Sequence, residues 1–319
     1  MDIIIVHDRL SAHPSHDEMD TILEVNQVRR ALRQLGHQVH TSTFTLNLPL
    51  MERRLRESGA HMVFNLVETQ KGSRLLFVAP ALFESLGIDY TGGSSVGMML
   101  SSDKLEAKRL MTTSGIPTPE WASSGDRKCL ESLIRYPVII KPVAEEASVG
   151  INDDSVIQKP SMTLIEQLLE DKKKDIFVER YVEGREFNIS ILPIDGKPTV
   201  LPPAEMIFSD FPQGKPRITG YKAKWDEQSW EYRHTNRTFE IQHLDRSNVD
   251  EVVQVSIACW ELFGAKGYVR VDLRLDSENR PYVLEVNLNP CITADSGFVA
   301  AAQAYGLSYT ALIDRIIRG

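Results

Sequence analysis

Apolar and polar residues alternate with period two along 267–275 and again along 282–287, with the polar stretch 276–281 between them. This pattern predicts two antiparallel strands joined by a turn. Folded symmetrically about Glu278 and Asn279, the hairpin sets Val271 against Val286, Leu273 against Leu284 and Leu275 against Tyr282. On the other face Asp272 meets Glu285, and Arg270 meets Asn287. Carboxylates facing each other across a strand pair repel unless a cation sits between them. Asp, Glu and Asn also offer the hard oxygens that suit Mg²⁺. Taken alone, the same face reads equally as a solvated strand surface.

The rest of the chain divides into three predicted lobes. Residues 1–93 alternate strand and helix: an apolar strand at 3–6, an amphipathic helix at 21–35 stopped by Gly36, strands at 38–43 and 62–67, and a helix at 78–86 closed by Gly87. Helices between successive strands predict a parallel sheet. Residues 94–180 carry a helix at 103–113, a stiff Gly115-Ile116-Pro117-Thr118-Pro119 connector, strands at 137–141 and 176–179, and a charged helix at 162–172. Residues 181–319 hold a strand at 187–192, the hairpin, and a closing helix at 309–317. The fold class is therefore α/β with α+β lobes: a Rossmann-like lobe, a small central lobe and a lobe built on an antiparallel sheet.

Composition narrows the partners. The chain has 319 residues, 42% hydrophobic and 25% charged, as in ordinary globular enzymes. Its formal net charge of -8 argues against nucleic acid or an anionic membrane as the main partner. Cys129, Cys259 and Cys291 are widely spaced and predict neither a disulfide framework nor a zinc site. The apolar run at the N-terminus is too short for a signal peptide, and no stretch is long enough to span a bilayer, so the expected location is cytoplasmic.

Two further segments suggest chemistry. Lys141 ends an apolar strand and Pro142 opens a loop at 143–150, where a lysine can reach phosphates as a point charge. Glu179 ends the next strand, and Glu186 begins another after a short linker. One carboxylate with linker backbone groups can bond an adenine edge, while the other holds ribose hydroxyls. Each segment alone also reads as surface charge.

In order along the chain, 81–92, the Asp103-Lys104 helix start, 114–119, Lys141-Pro142, 179–186, Lys224, Arg270-Val271-Asp272, Glu285-Val286-Asn287 and 300–309 together resemble the ATP-grasp superfamily. Within it they are similar to the D-alanine–D-alanine ligase family. The resemblance implies an ADP-forming ligase that uses ATP and Mg²⁺ to join small amino acids or peptides, as a possible homodimer. It implies that Lys104 and Lys141 contact ATP phosphates, Glu179 and the Val182 backbone the adenine, and Glu186 the ribose. Ser148 on the 143–150 lid and Arg180 would join the nucleotide contacts. Lys224 would reach the γ-phosphate, Asp272, Glu285 and Asn287 would hold Mg²⁺, and Arg270 would lie beside the transferred phosphoryl group.

The amino-acid half departs from the family pattern. The first strand runs into His7-Asp8-Arg9-Leu10 rather than a Gly-Gly turn carrying a substrate-binding Glu. Ala147 and Trp225 replace a serine and a tyrosine that bond to that Glu in the family. Glu68 stands where a histidine is usual and Cys291 where a glycine is usual, while Ser296 matches a carboxylate-binding serine. Concerted loss of the three-residue set predicts a substrate other than D-alanine, its amine held by Glu68 or by Asp17, Glu18 or Asp20. The last three also read as a solvated helix start. Cys291 is expected to be a spectator, since acyl-phosphate chemistry requires no thiol. The competing readings are a D-alanine–D-alanine ligase proper and a non-catalytic ATP-binding regulatory module; retention of Arg270, Lys224 and the metal set disfavours the latter.

Overall fold

The computed structural model describes the chain apart from Lys71, residues 172–174 and 242–243, and the side chain of Asp17. Three sheets follow one another. The first contains β1 (Asp2–His7), β2 (Gln38–Thr43), β3 (Met62–Leu66) and β4 (Asp89–Tyr90), in the order β2-β1-β3-β4 and all parallel. The second contains β5 (Trp121–Ala122), β6 (Val138–Pro142), β7 (Val156–Ile157) and β8 (Ile176–Arg180), antiparallel in the order β5-β8-β6-β7. The third runs β12-β11-β9-β13-β14, with β10 paired to β9: β9 is Arg185–Ile194, β10 Lys197–Val200, β11 Ala204–Phe208, β12 Thr235–Thr238, β13 Val269–Leu275 and β14 Pro281–Asn287.

The first helix, His16–Gln34, starts five residues before the apolar periodicity does. Ser15 and Glu18 form a capping box there, which satisfies the helix's first N–H groups and recruits a polar turn. The helix expected at 162–172 spans Met162–Glu170, and its expected last residue, Lys172, lies outside the described residues.

The hairpin register agrees with expectation at Arg270–Asn287, Val271–Val286 and Asp272–Glu285, and then breaks. Beyond Asp272 the pairs are Leu273–Val283, Arg274–Tyr282 and Leu275–Pro281. Leu284 is the extra residue of a bulge, so it does not face Leu273; it lines the central cavity instead. A bulge adds one residue to one strand and kinks it, which a symmetric folding of the sequence cannot anticipate.

Packing binds the outer lobes together. Ile4, Phe83, Met98 and Met111 share one core with Val271, Val286 and Leu288, while Ile3, Ile5 and Leu32 pack in a second with Phe298, Leu312 and Ile316. Helices Ser95–Ser102 and Lys104–Thr113 belong to the first of these cores, although they begin the stretch expected to be the central lobe. The small sheet has its own core, from Ala122 to Val178. A cleft is thereby left between the small sheet and the concave faces of the other two.

Candidate active site

The cleft holds a cavity of about 540 Å³, within the range of small-molecule sites. At one end Glu179 closes β8, 1% exposed, with Lys141 Nζ at 2.5 Å and Lys108 Nζ at 2.7 Å. Burial alone would raise its carboxyl, but the two lysines hold it below the usual carboxylate range. Burial opposes the charge on Lys108 and lowers its pKa despite Glu179. The adjacent wall comes from β9 and β13, whose register sets Glu186 against Arg274 and Asn188 against Asp272. Arg274 is buried; it donates to Glu186 at 2.7 Å and to the Val182 carbonyl at 2.8 Å, with Tyr181 under its guanidinium. Arg180 lines the same end and stacks on Tyr136.

In the middle of the cleft, Asp272 and Glu285 lie side by side across the hairpin, with Asn287 on the same cavity wall. Arg270 supplies the cation between them: it donates to Asp272 through Nε at 2.8 Å and Nη2 at 2.9 Å, and stands 3.9 Å from Glu285. Asn188 donates to Asp272 at 2.8 Å. Burial raises the Asp272 carboxyl against the pull of Arg270. Burial would also raise Glu285, but Lys104, Lys224 and Arg270 bring it down to about 2, so it is ionised throughout the working pH range. Two carboxylates and an amide oxygen would suit a hard divalent ion, and of the three Glu285, 3.7 Å from Lys104, is the least committed to the protein itself.

The lid closes over this centre. Ala147 and Ser148 have φ of 56° and 61°, an uncommon left-handed pair outside glycine. Two hydrogen bonds hold it to the 219–225 segment: Ser148 Oγ donates to the Thr219 carbonyl at 2.8 Å, and Trp225 Nε1 donates to the Ala147 carbonyl at 2.9 Å. With Ala147 and Trp225 in place of a serine and a tyrosine, this contact is still polar. The indole N–H retains a polar latch by using backbone in place of the missing hydroxyl. Gly72 supports the lid from the first lobe: a Cβ there would lie 2.3 Å from the Ala144 carbonyl oxygen, at a φ of +67°. Lys104 donates to the Glu145 carbonyl at 2.5 Å, and Lys224 lines the cavity below.

The other end of the cleft is acidic. Asp8 accepts from the backbone N–H of Glu68 at 2.6 Å and of Thr69 at 2.8 Å, which fixes the strand end that carries Glu68. Burial raises Asp8 to about 6 and Glu24, beneath the 291–292 loop, to about 8. Glu68 is raised by burial and further by Glu24 and Asp8. Glu18 serves the helix start, accepting from Ser11 and Ser15, so the structural reading of that residue holds. Ser296 caps the helix Gly297–Ala304 by accepting from the Val299 N–H at 3.3 Å and also lines the cavity. The Cys291 thiol donates to Asp20 at 3.4 Å, and burial raises its pKa well above the ordinary value, which suits a spectator rather than a nucleophile.

Comparison with known proteins shows the family. Residues 110–318 match the family described as D-ala D-ala ligase C-terminus. The chain is 30% identical to a D-alanine–D-alanine ligase of Synechococcus over 91% of its own length and 85% of that protein's. The chain belongs to the D-alanine–D-alanine ligase family. It is, as an ATP-grasp member, an ATP-dependent, ADP-forming carboxylate–amine ligase. It is also 32% identical to the uncharacterized protein y4sG of Sinorhizobium fredii, over 82% of this chain and 74% of that one. The fold superposes on the ATP-bound D-alanine–D-alanine ligase of Bacillus anthracis with a TM-score of 0.75 at 23% identity, covering 100% of this chain and 96% of that one. The VanG D-Ala:D-Ser ligase of Enterococcus faecalis gives 0.72 at 16% identity, with 99% and 98% covered.

Against this family frame, every candidate from the sequence except Asp17, whose side chain lies outside the described residues, has a defined place around the cleft. Lys108, Asn188, Arg274 and Glu24 were missed. Lys108 follows Lys104 by four residues on one helix, and Arg274 and Asn188 follow Asp272 and Glu186 at strand period, so a same-face signal existed for three of them. Glu24 sits at an apolar-spaced helix position, and nothing local marks it.

Proposed function

We propose that the cleft joins an amino acid or peptide carboxylate to an amine, with Mg²⁺ as the metal and a substrate pair other than two D-alanines. The observation that carries this reading is the Asp272–Glu285 pair, spanned by Arg270, at the junction of a paired-charge end and an acidic end of one cavity. ATP would lie with its adenine at Glu179 and the Val182 backbone, its ribose at Glu186, and its phosphates toward Lys104, Lys141 and Lys224. Asp272, Glu285 and Asn287 would hold Mg²⁺, which when bound offsets phosphate charge. Arg180 and Ser148 would complete the nucleotide contacts.

The substrate carboxylate attacks the γ-phosphorus, forming acyl phosphate and ADP. A neutral amine then attacks the acyl carbon, and collapse of the tetrahedral adduct breaks the acyl C–O bond and expels phosphate, which takes up the proton that the amine loses. Arg270 and Lys224 face the charge that develops on the phosphoryl and acyl oxygens, a form of stabilisation that is preorganised and costs no rearrangement. The lid, latched by Trp225 and Ser148, excludes water that would hydrolyse the acyl phosphate. Glu68, with an unpartnered buried oxygen at the acidic end, would meet an ammonium group of the substrate, and Ser296 with the Cys291 backbone would meet its carboxylate.

The test is ADP release on mixing protein, ATP and Mg²⁺ with D- and L-amino acids and short peptides, with mass spectrometry of the product. A new amide is expected, with weak turnover on D-alanine. Robust D-alanyl-D-alanine synthesis at low D-alanine would overturn the substrate assignment.

A further inference from the structure

Five carboxylates gather where the first lobe meets the loop after β14. Three are committed within the fold: Asp8 holds backbone N–H groups, Glu18 caps its helix, and Asp20 accepts from the Cys291 thiol. Glu24 and Glu68 are not. Glu24 is 1% exposed; its Oε1 accepts from the Ile292 N–H at 2.6 Å, while its Oε2 has no hydrogen-bond partner among the described residues. Glu68 Oε1 is likewise buried and unpartnered. One carboxylate oxygen from each, with Cys291 Sγ, lies within 4.8 Å of the others. Leaving two buried carboxylate oxygens facing the same small space is costly unless a donor or a cation fills it.

Resting on the ligase reading, we propose that Glu24 and Glu68 form a subsite for a side-chain ammonium group, so that the amino substrate is a diamino acid or a peptide presenting one. An ammonium has three donors, enough for both free oxygens and a third acceptor. A transition metal fits less well. Cys291 Sγ would have to give up its contacts with Asp20 at 3.4 Å and Thr293 Oγ1 at 3.3 Å, and burial already disfavours its thiolate. A side-chain ammonium fits better than an α-ammonium because Glu24 is set back from the cavity lining to which Glu68 and Cys291 belong, so its free oxygen suits a cation carried on a flexible stem.

The probes are ornithine and lysine against their neutral counterparts norvaline and norleucine, as both stereoisomers. Binding is read by calorimetry with Mg²⁺ and a non-hydrolysable ATP analogue, and turnover by ADP release. At least a tenfold tighter binding of the diamino acid is expected. Glu24→Gln and Glu68→Gln should each cut that preference at least tenfold, through KM rather than kcat; if one variant fails to fold, the other decides. ATP titration and thermal melting certify the fold of each. Equal or tighter binding of the neutral amino acid overturns the subsite, and it leaves the ligase reading standing if ADP is released. Absence of ADP with every probe overturns the ligase reading, while the calorimetric preference still decides the subsite. Stoichiometric zinc retained by the wild type and lost in Glu24→Gln would overturn the ammonium in favour of a metal.

Discussion

The two ends of the cleft treat buried charge in opposite ways. From the proposed nucleotide end to the middle of the cleft, three acids have cations beside them: Glu179 has Lys108 and Lys141, Glu186 has Arg274, and Asp272 has Arg270. At the acidic end Asp8 is satisfied only by N–H groups and Asp20 by a thiol, while Glu24 and Glu68 each keep an unpartnered oxygen. A wall that carries its own counter-charges is rigid and ready before any ligand arrives. A wall that lacks them leaves the missing charge to be supplied by what binds. The difference separates the proposed nucleotide wall from the proposed substrate wall, and it coincides with the split between the motifs that resemble the family and those that depart from it.

Breaking a self-paired site should cost the fold most. Arg274→Met leaves Glu186 buried without its cation and is expected to lower stability by about 3–5 kcal/mol, read by urea unfolding. A loss under about 1 kcal/mol would show that Glu186 is solvated or neutral, and that the pairing at this end is incidental.

Removing a charge from the reacting centre should instead spare the fold and stop the chemistry. Asp272→Asn keeps shape and leaves Glu285 near Arg270, so turnover should fall about 10²–10³-fold with little change in melting temperature. A large drop in melting temperature with unaltered Mg²⁺ dependence would count against the metal site.

The unpaired end should reveal itself through pH. The native state holds Glu24 protonated up to about 8, whereas the unfolded chain releases that proton near 4.5. The group's contribution to stability is therefore full below pH 4.5 and lost as pH rises toward about 8. Its slope is at most about 1.4 kcal/mol per pH unit for one proton. Glu24→Gln should flatten that slope; an unchanged pH profile of the melting temperature would show that the acid is not perturbed.

The lid latch should give the smallest effect. Trp225→Phe removes one hydrogen bond to the Ala147 carbonyl, worth about 0.5–1.5 kcal/mol. Uncoupled ATP hydrolysis should rise severalfold as water enters. No change in the ratio of ADP to amide would remove the indole from the latch.

Local pattern carried much of this molecule. The parallel first sheet, the hairpin and the facing of Asp272 and Glu285 were legible because strand period and turn chemistry act over a few residues. Ser15 and Glu18 could also have extended the first helix to His16, had the capping box been weighed above apolar spacing. The bulge at Leu284 could not be read, because a bulge is chosen by packing on both faces of the sheet.

By itself, the sequence determined the order of the elements and which residues share a strand face, since these follow from periodicity and short motifs; the proposed nucleotide-side groups came only from its resemblance to a family. Only the tertiary structure decided which charge meets which. Asn188 reaches Asp272 and Arg274 reaches Glu186 across more than eighty residues, through a strand register that no local spacing encodes. Glu24 sits on a helix as one polar residue among apolar neighbours. It becomes part of a site only because the 291–292 loop, from the far end of the chain, folds over it and shuts out the water that would otherwise have satisfied its second oxygen.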